Sequence, residues 1–181
     1  MLLYIKQLFQ LLLEPTYGWE DISEANRPAD VIQKSGFFPW IGVTAASCFL
    51  QLFYDNELTF LRAVQTAIAI AGAMFISLFV SRLLLDILLP KYVDPKISSS
   101  KISVFNLHMI GLLGVYLVFA NLMPATLTFL YILPFLSFLV IFKSITFMGV
   151  KEENAISFLL LSALAVWATP ILIALLLTYI I

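Results

Sequence analysis

Two side chains of opposite charge, Arg82 and Asp86, stand four residues apart at the end of a stretch that is almost wholly apolar from Ala63 to Val80. On a helix that spacing lets them pair on one face. Charge inside a membrane is costly and marks a functional candidate by default. Arg82, however, lies about 12 Å of helix before Pro90, close enough for a snorkelling side chain to reach headgroups. Three readings stand for the pair: an interfacial anchor, a structural or lipid-headgroup contact between spans, and a transport or catalytic role. Asn106 and His108 occupy the next apolar stretch, and His108 is the only histidine in the chain. No second imidazole or thiolate cluster stands near it, so a zinc site lacks its ligands. Asn106 and His108 either meet water or a bonding neighbour near one membrane face, or serve a proton relay. The chain has no serine–histidine–acid set, no glycine-rich phosphate loop and no paired intramembrane carboxylates. No enzyme chemistry, cofactor or metal is expected.

These residues sit in a chain of 181 residues that is 62% hydrophobic and 12% charged, with mean hydropathy +1.02. Soluble domains carry about 25% charged residues, so this composition belongs to a bilayer. A net charge of −1 offers no basic footprint for nucleic acid. The single cysteine, Cys48, lies in an apolar run and reads as a small core residue. The first residues make a poor secretion signal: Lys6 is the lone early cation and Gln7 and Gln10 interrupt the apolar run.

The expected architecture is all-α, a polytopic integral membrane protein with five transmembrane helices preceded by a short amphipathic helix. Residues 1–36 read as a cytoplasmic amphipathic and polar segment, and 37–181 as the membrane domain. Within residues 1–14, Lys6, Gln7, Gln10 and Glu14 fall on one helix side and Leu2, Ile5, Leu8, Phe9, Leu12 and Leu13 mostly on the other. Such a helix suits either the membrane surface or packing on the protein's own spans. Pro15 ends it. Asn26 and Pro28 resemble the start of a short helix that stops at Ser35-Gly36. The spans follow at about 37–54, 62–89, 103–123, 125–147 and 155–180. Trp40 and Tyr54 mark the ends of the first, as interfacial aromatics do. Ala69, Ala73, Ser77 and Ser81 form a small-residue ladder suited to close helix packing. A tight turn at Asn121 and Pro124 joins spans three and four. Gly149 can cap span four, while Pro134 and Pro170 should bend spans four and five.

Five spans place the chain ends on opposite sides, and cationic residues decide which side is which. Lys6, Arg27, Lys34, Arg82, Lys91, Lys96, Lys101, Lys143 and Lys151 fall on the side of the N-terminus, against Arg62 alone on the other. The N-terminus is therefore expected in the cytoplasm and the C-terminus outside. Two cytoplasmic surfaces of opposite sign result. Glu20, Asp21 and Glu24 lie in the acidic N-terminal segment, and Lys91, Lys96 and Lys101 in the loop after span two. They could dock on one another, serve a partner, or stay solvated and screened.

The layout resembles the Yip domain family, the Rab/Ypt-interacting membrane proteins, in its bacterial branch. The resemblance rests on Pro15-x-x-x-Trp19 before five closely spaced spans, on the short connection from Phe142 to Val150 that includes Gly149, and on a chain that stops with its last helix. It implies the five-span fold, a cytosolic N-terminus and association within the membrane. Eukaryotic members bind Rab GTPases and one another in vesicle traffic. This chain lacks their Asp-Leu-Tyr-Gly-Pro and Gly-Tyr-Gly-Tyr stretches, so Rab binding does not carry over. The functional expectation is a non-enzymatic adaptor or membrane-organising component of the cytoplasmic (inner) membrane. It would touch lipid headgroups, cytoplasmic partners, other membrane proteins or a second copy. The alternative is a small oligomeric transporter or channel subunit, with Arg82, Asp86, Asn106 and His108 lining a polar path.

Overall fold

A computed structural model describes residues 1–94, 96–123 and 135–180. Among them every element is helical, in seven runs. They are α1 (Leu2–Leu13), α2 (Pro15–Ala25), α3 (Ala29–Phe53), α4 (Phe60–Tyr92), α5 (Ser99–Leu122), α6 (Leu136–Met148) and α7 (Glu152–Tyr179). Four of them, α3, α4, α5 and α7, are long and apolar enough to cross a membrane, which makes this a multi-pass membrane protein. The described part of the expected fourth span is α6, 13 residues long. The expected turn at Pro124 and bend at Pro134 lie outside the described residues.

Both α3 and α7 carry one widened turn of π-helix, Gln33–Phe37 and Leu164–Ala168. Each ends two residues before a proline, Pro39 and Pro170. Proline lacks the N–H that would close the preceding turn and its ring crowds the carbonyl four residues back. A π-bulge absorbs the extra bulk without breaking the rod. Pro170 therefore acts through the turn before it.

The sequence expectations need correcting at three helix ends. Gly36 does not stop a short helix: α3 runs straight through it into the first span. Asn26 does not start that helix but ends α2, in the left-handed conformation at φ 41°. Pro90 does not end the second span. It sits in the last turn of α4, which continues to Tyr92. Beyond it, Thr59 and Ser98 cap α4 and α5 by accepting from the amides of Arg62 and Lys101.

Residues 1–36 do not stand apart from the spans. Tyr4, Leu8, Leu11, Trp19, Ile22 and Ile32 share one buried cluster with residues of α4, α5, α6 and α7. Of the two readings of α1, packing on the protein's own spans is the one found. The buried face also differs from the expected one. Tyr4, Gln7, Leu8 and Leu11 point inward, whereas Leu2 and Leu13 are exposed. A polar face on a helical wheel points to water only when no neighbouring helix offers a surface, and here α5 and α6 do.

The axial helix is α5. Of its apolar window 78% is buried, against 39% in α3 and α4 and 28% in α7. Helices α3 and α4 flank it, α7 lies mainly along α4, and α2 lies on α6. Phe75, Phe79 and Leu83 of α4 and Leu172, Leu175 and Leu176 of α7 are exposed. They form the surface that would meet acyl chains.

Candidate functional site

The small-residue ladder positions the first polar group. Ala69, Ala73, Ser77 and Ser81 are all buried, and their size lets α4 approach α5 closely. Asn106 bridges the seam. Its Nδ2 donates to the Leu78 carbonyl at 2.8 Å, and its Oδ1 accepts from the Ser81 hydroxyl at 2.7 Å. The same hydroxyl also reaches the Ser77 carbonyl. Asn106 has no exposed surface, and both ends of its amide are satisfied within the bundle.

His108 lies two residues further on, on a different side of α5. Its Nδ1 is 2.8 Å from the Val104 carbonyl, which can only accept, so Nδ1 carries the proton and Nε2 the lone pair. Nε2 is buried without a hydrogen-bond partner among the described residues. The ring is covered by Tyr4 at 5.3 Å between centroids and by Trp19, edge-on, at 6.2 Å. Trp19 is itself sandwiched between Phe105 and Phe147, at 5.7 and 5.0 Å, and its Nε1 donates to the Val140 carbonyl at 2.9 Å. Trp19 is thus the pin that holds α2 to α6. Pro15 opens α2 at its first turn, and Gly149 closes α6 in the left-handed conformation at φ 73°.

Two glycines of α5 admit two aromatic side chains that the sequence does not single out for this task. Tyr4 Oη donates to the Leu107 carbonyl at 2.6 Å, directly against Gly111, and its Cβ and Cγ lie 2.7 Å from where a Cβ on Gly36 would stand. Burial pushes the Tyr4 phenol well above its ordinary pKa, which keeps it a neutral donor. Trp40 Nε1 donates to the Gly111 carbonyl at 2.9 Å and would lie 2.6 Å from a Cβ on Gly114. Trp40 is therefore no interfacial marker; it is 4% exposed and works inside the bundle. At the far end of α5, Asn121 Nδ2 donates to Ser47 and, weakly, to Cys48, and its Oδ1 accepts from Gln51 at 2.6 Å.

The charged pair stands elsewhere. Arg82 Nε lies 3.5 Å from Asp86 Oδ2, with the side chains 47% and 30% exposed. Arg82 also lines a cavity of about 450 Å³ between α3, α4 and α5 that contains neither Asn106 nor His108. The four candidates of the polar path are thus split three ways: an outward pair, a bonded amide in the α4–α5 seam and an imidazole under an aromatic cover.

The acidic and basic surfaces do not dock on each other. Among the described residues the ion pairs are Arg82–Asp86 and Lys151–Glu153 alone. Glu20 and Glu24 are exposed and Asp21 half-buried, and Lys91 and Lys96 are exposed. Lys91 stands over the Tyr92 ring at 5.0 Å. Lys101 is already engaged. Its Nζ donates to the Phe147 carbonyl at 2.8 Å, at the C-terminal end of α6 where the helix dipole attracts a cation. Asp94 accepts from the Lys96 amide at 2.8 Å and so shapes the loop. Among the described residues no group of three metal-ligating side chains comes together.

No protein-family model, curated protein or solved structure matches the chain. The geometry is left to carry the functional reading.

Proposed function

We propose that this protein is a non-enzymatic, membrane-organising adaptor with five spans, its N-terminus in the cytoplasm and its C-terminus outside. The cationic asymmetry supports that orientation, with Arg62 alone on the outer side. The described helix α6, followed by the cap at Gly149 and then by α7, supports a fifth span. The resemblance to bacterial Yip-like proteins supports a place in the inner membrane and contact with other membrane proteins or a second copy. One observation carries the adaptor reading. The polar side chains that could form a path are separated, with Asn106 and His108 closed off inside the bundle and Arg82 and Asp86 facing outward, while Glu20, Glu24, Lys91 and Lys96 stand exposed on the side assigned to the cytoplasm.

Photo-crosslinking side chains at Glu20, Glu24 and Lys96, used in native membranes, test the reading. Discrete protein adducts at these positions, absent from a control at lipid-facing Phe75, are expected. Solute flux in proteoliposomes that disappears with Asn106→Ala or His108→Ala would replace the adaptor with a transporter. Reporter tags at the two chain ends test the orientation and should report opposite compartments.

A further inference from the structure

The cavity beside Arg82 carries two unlike charges that do not neutralise each other. Asp30 and Gln33 line it from α3, Arg82 from α4, and Ser100 and Ser103 from α5. Asp30 is exposed and forms no ion pair with Arg82. Among the described residues Arg82 pairs with Asp86, through Nε at 3.5 Å, and no hydrogen bond occupies the terminal NH₂ groups of its guanidinium. A guanidinium presents that fork to phosphate in a bidentate way. Below the polar rim the wall is apolar: Leu78, Phe79 and Leu107. Phe79 is 51% exposed on the outer surface of α4, so the cavity adjoins the face that meets lipid. Its volume lies within the roughly 300–1,000 Å³ of small-molecule sites.

The level is set by the sequence. Arg62 and Arg82 bracket an uncharged stretch that spans about 28 Å as helix, close to the roughly 30 Å of a bilayer core. Arg82 therefore stands at the edge of the hydrocarbon, from which its long side chain reaches the level of lipid phosphates. A ligand that matches every wall has a phosphate for Arg82, an amine for Asp30, and methylenes for Leu78, Phe79 and Leu107.

We propose that this cavity is a binding site for a phospholipid carrying a phosphoethanolamine headgroup, with phosphate on Arg82 and ammonium on Asp30. The side-chain amide of Gln33 and the Ser100 hydroxyl complete the polar rim. The proposal deepens the lipid-headgroup part of the adaptor reading, and it rests on α4 crossing the membrane rather than on any protein partner.

The test is lipid retention by the full-length protein, purified in detergent and read by native mass spectrometry. Phosphatidylethanolamine, phosphatidylglycerol and diacylglycerol are supplied at equal concentration. Retention in the order phosphatidylethanolamine, phosphatidylglycerol, diacylglycerol is expected. Arg82→Gln should lower phospholipid retention about tenfold, the size of one charge-assisted contact, and leave diacylglycerol unchanged. Asp30→Asn should erase the preference between the two phospholipids. Ser100→Trp obstructs the rim while leaving the Arg82–Asp86 pair intact, and it should lower retention even if Arg82→Gln proves unstable. Equal retention in the wild type and Ser100→Trp overturns the site. An unchanged preference in Asp30→Asn overturns the ammonium contact. Soluble phosphoethanolamine that competes as well as the lipid overturns the lipid source. Adducts at Glu20 and Lys96 that survive Arg82→Gln keep a failure here distinct from a failure of the adaptor reading.

Discussion

Replacing Gly111 by alanine places a methyl group where Tyr4 Oη already sits, with Leu8 Cδ2 3.0 Å away on the same side. Gly36 closes the other side of the Tyr4 ring, so the ring cannot slide away within its slot. It must leave the slot or α1 must shift. Overfilling a packed site costs about 1–3 kcal/mol. Losing the Tyr4–Leu107 hydrogen bond adds about 0.5–1.5 kcal/mol, so the two effects together should destabilise Gly111→Ala by about 1.5–4.5 kcal/mol. The intrinsic helix preference runs the other way by up to about 1 kcal/mol, which makes the expected loss informative in sign. In a Tyr4→Ala background the obstacle is gone and the Gly111→Ala cost should fall below about 1 kcal/mol. The coupling energy, about 2 kcal/mol, is read from a double-mutant cycle by unfolding in mixed micelles with increasing SDS. Maleimide labelling of a Leu8→Cys variant supplies a second reading, since Leu8 is fully buried and Cys48 is 1% exposed. Labelling should accelerate in Gly111→Ala. Equal cost of Gly111→Ala with and without Tyr4 would refute the slot.

Asn106→Ala removes two interhelical hydrogen bonds, and such bonds average about 0.6 kcal/mol each in a bundle; a loss of about 1–2 kcal/mol is expected in the same unfolding assay. Trp19→Phe keeps most of the stack between Phe105 and Phe147 and loses the bond to Val140, so about 1 kcal/mol should go, whereas Trp19→Ala should cost about 3–5 kcal/mol. Asp86→Asn breaks a pair that is substantially exposed and should change stability by less than about 1 kcal/mol. Lys101→Met removes a cation from the C-terminal end of α6 and should cost about 0.3–1 kcal/mol at low ionic strength, measured as a shift in the unfolding midpoint.

Composition and local spacing alone were enough for a multi-pass membrane protein, for the helical character of the described residues, and for the i, i+4 pairing of Arg82 with Asp86. These depend on solvent and on one helix turn, both of which are local. The helix end expected at Gly36 was not legible, because the extra residue of the π-turn that relieves Pro39 carries no mark of its own. The small-residue ladder did mark a buried face, since small side chains have little to offer lipid and much to offer a neighbouring helix.

Which helix forms the axis could be decided only in three dimensions. In water the most apolar segment is the natural centre, but lipid is as apolar as leucine, so greasiness does not draw a helix inward. The more apolar α7 is mostly exposed on the outside of the bundle, and α5, with Asn106, His108, Gly111 and Gly114, takes the middle. Its glycines admit aromatic side chains from distant parts of the chain, and its polar groups bond across helices. Nothing near Tyr4 in sequence says that it will be gripped between Gly36 and Gly111, because the pairing exists only once all three helices have met.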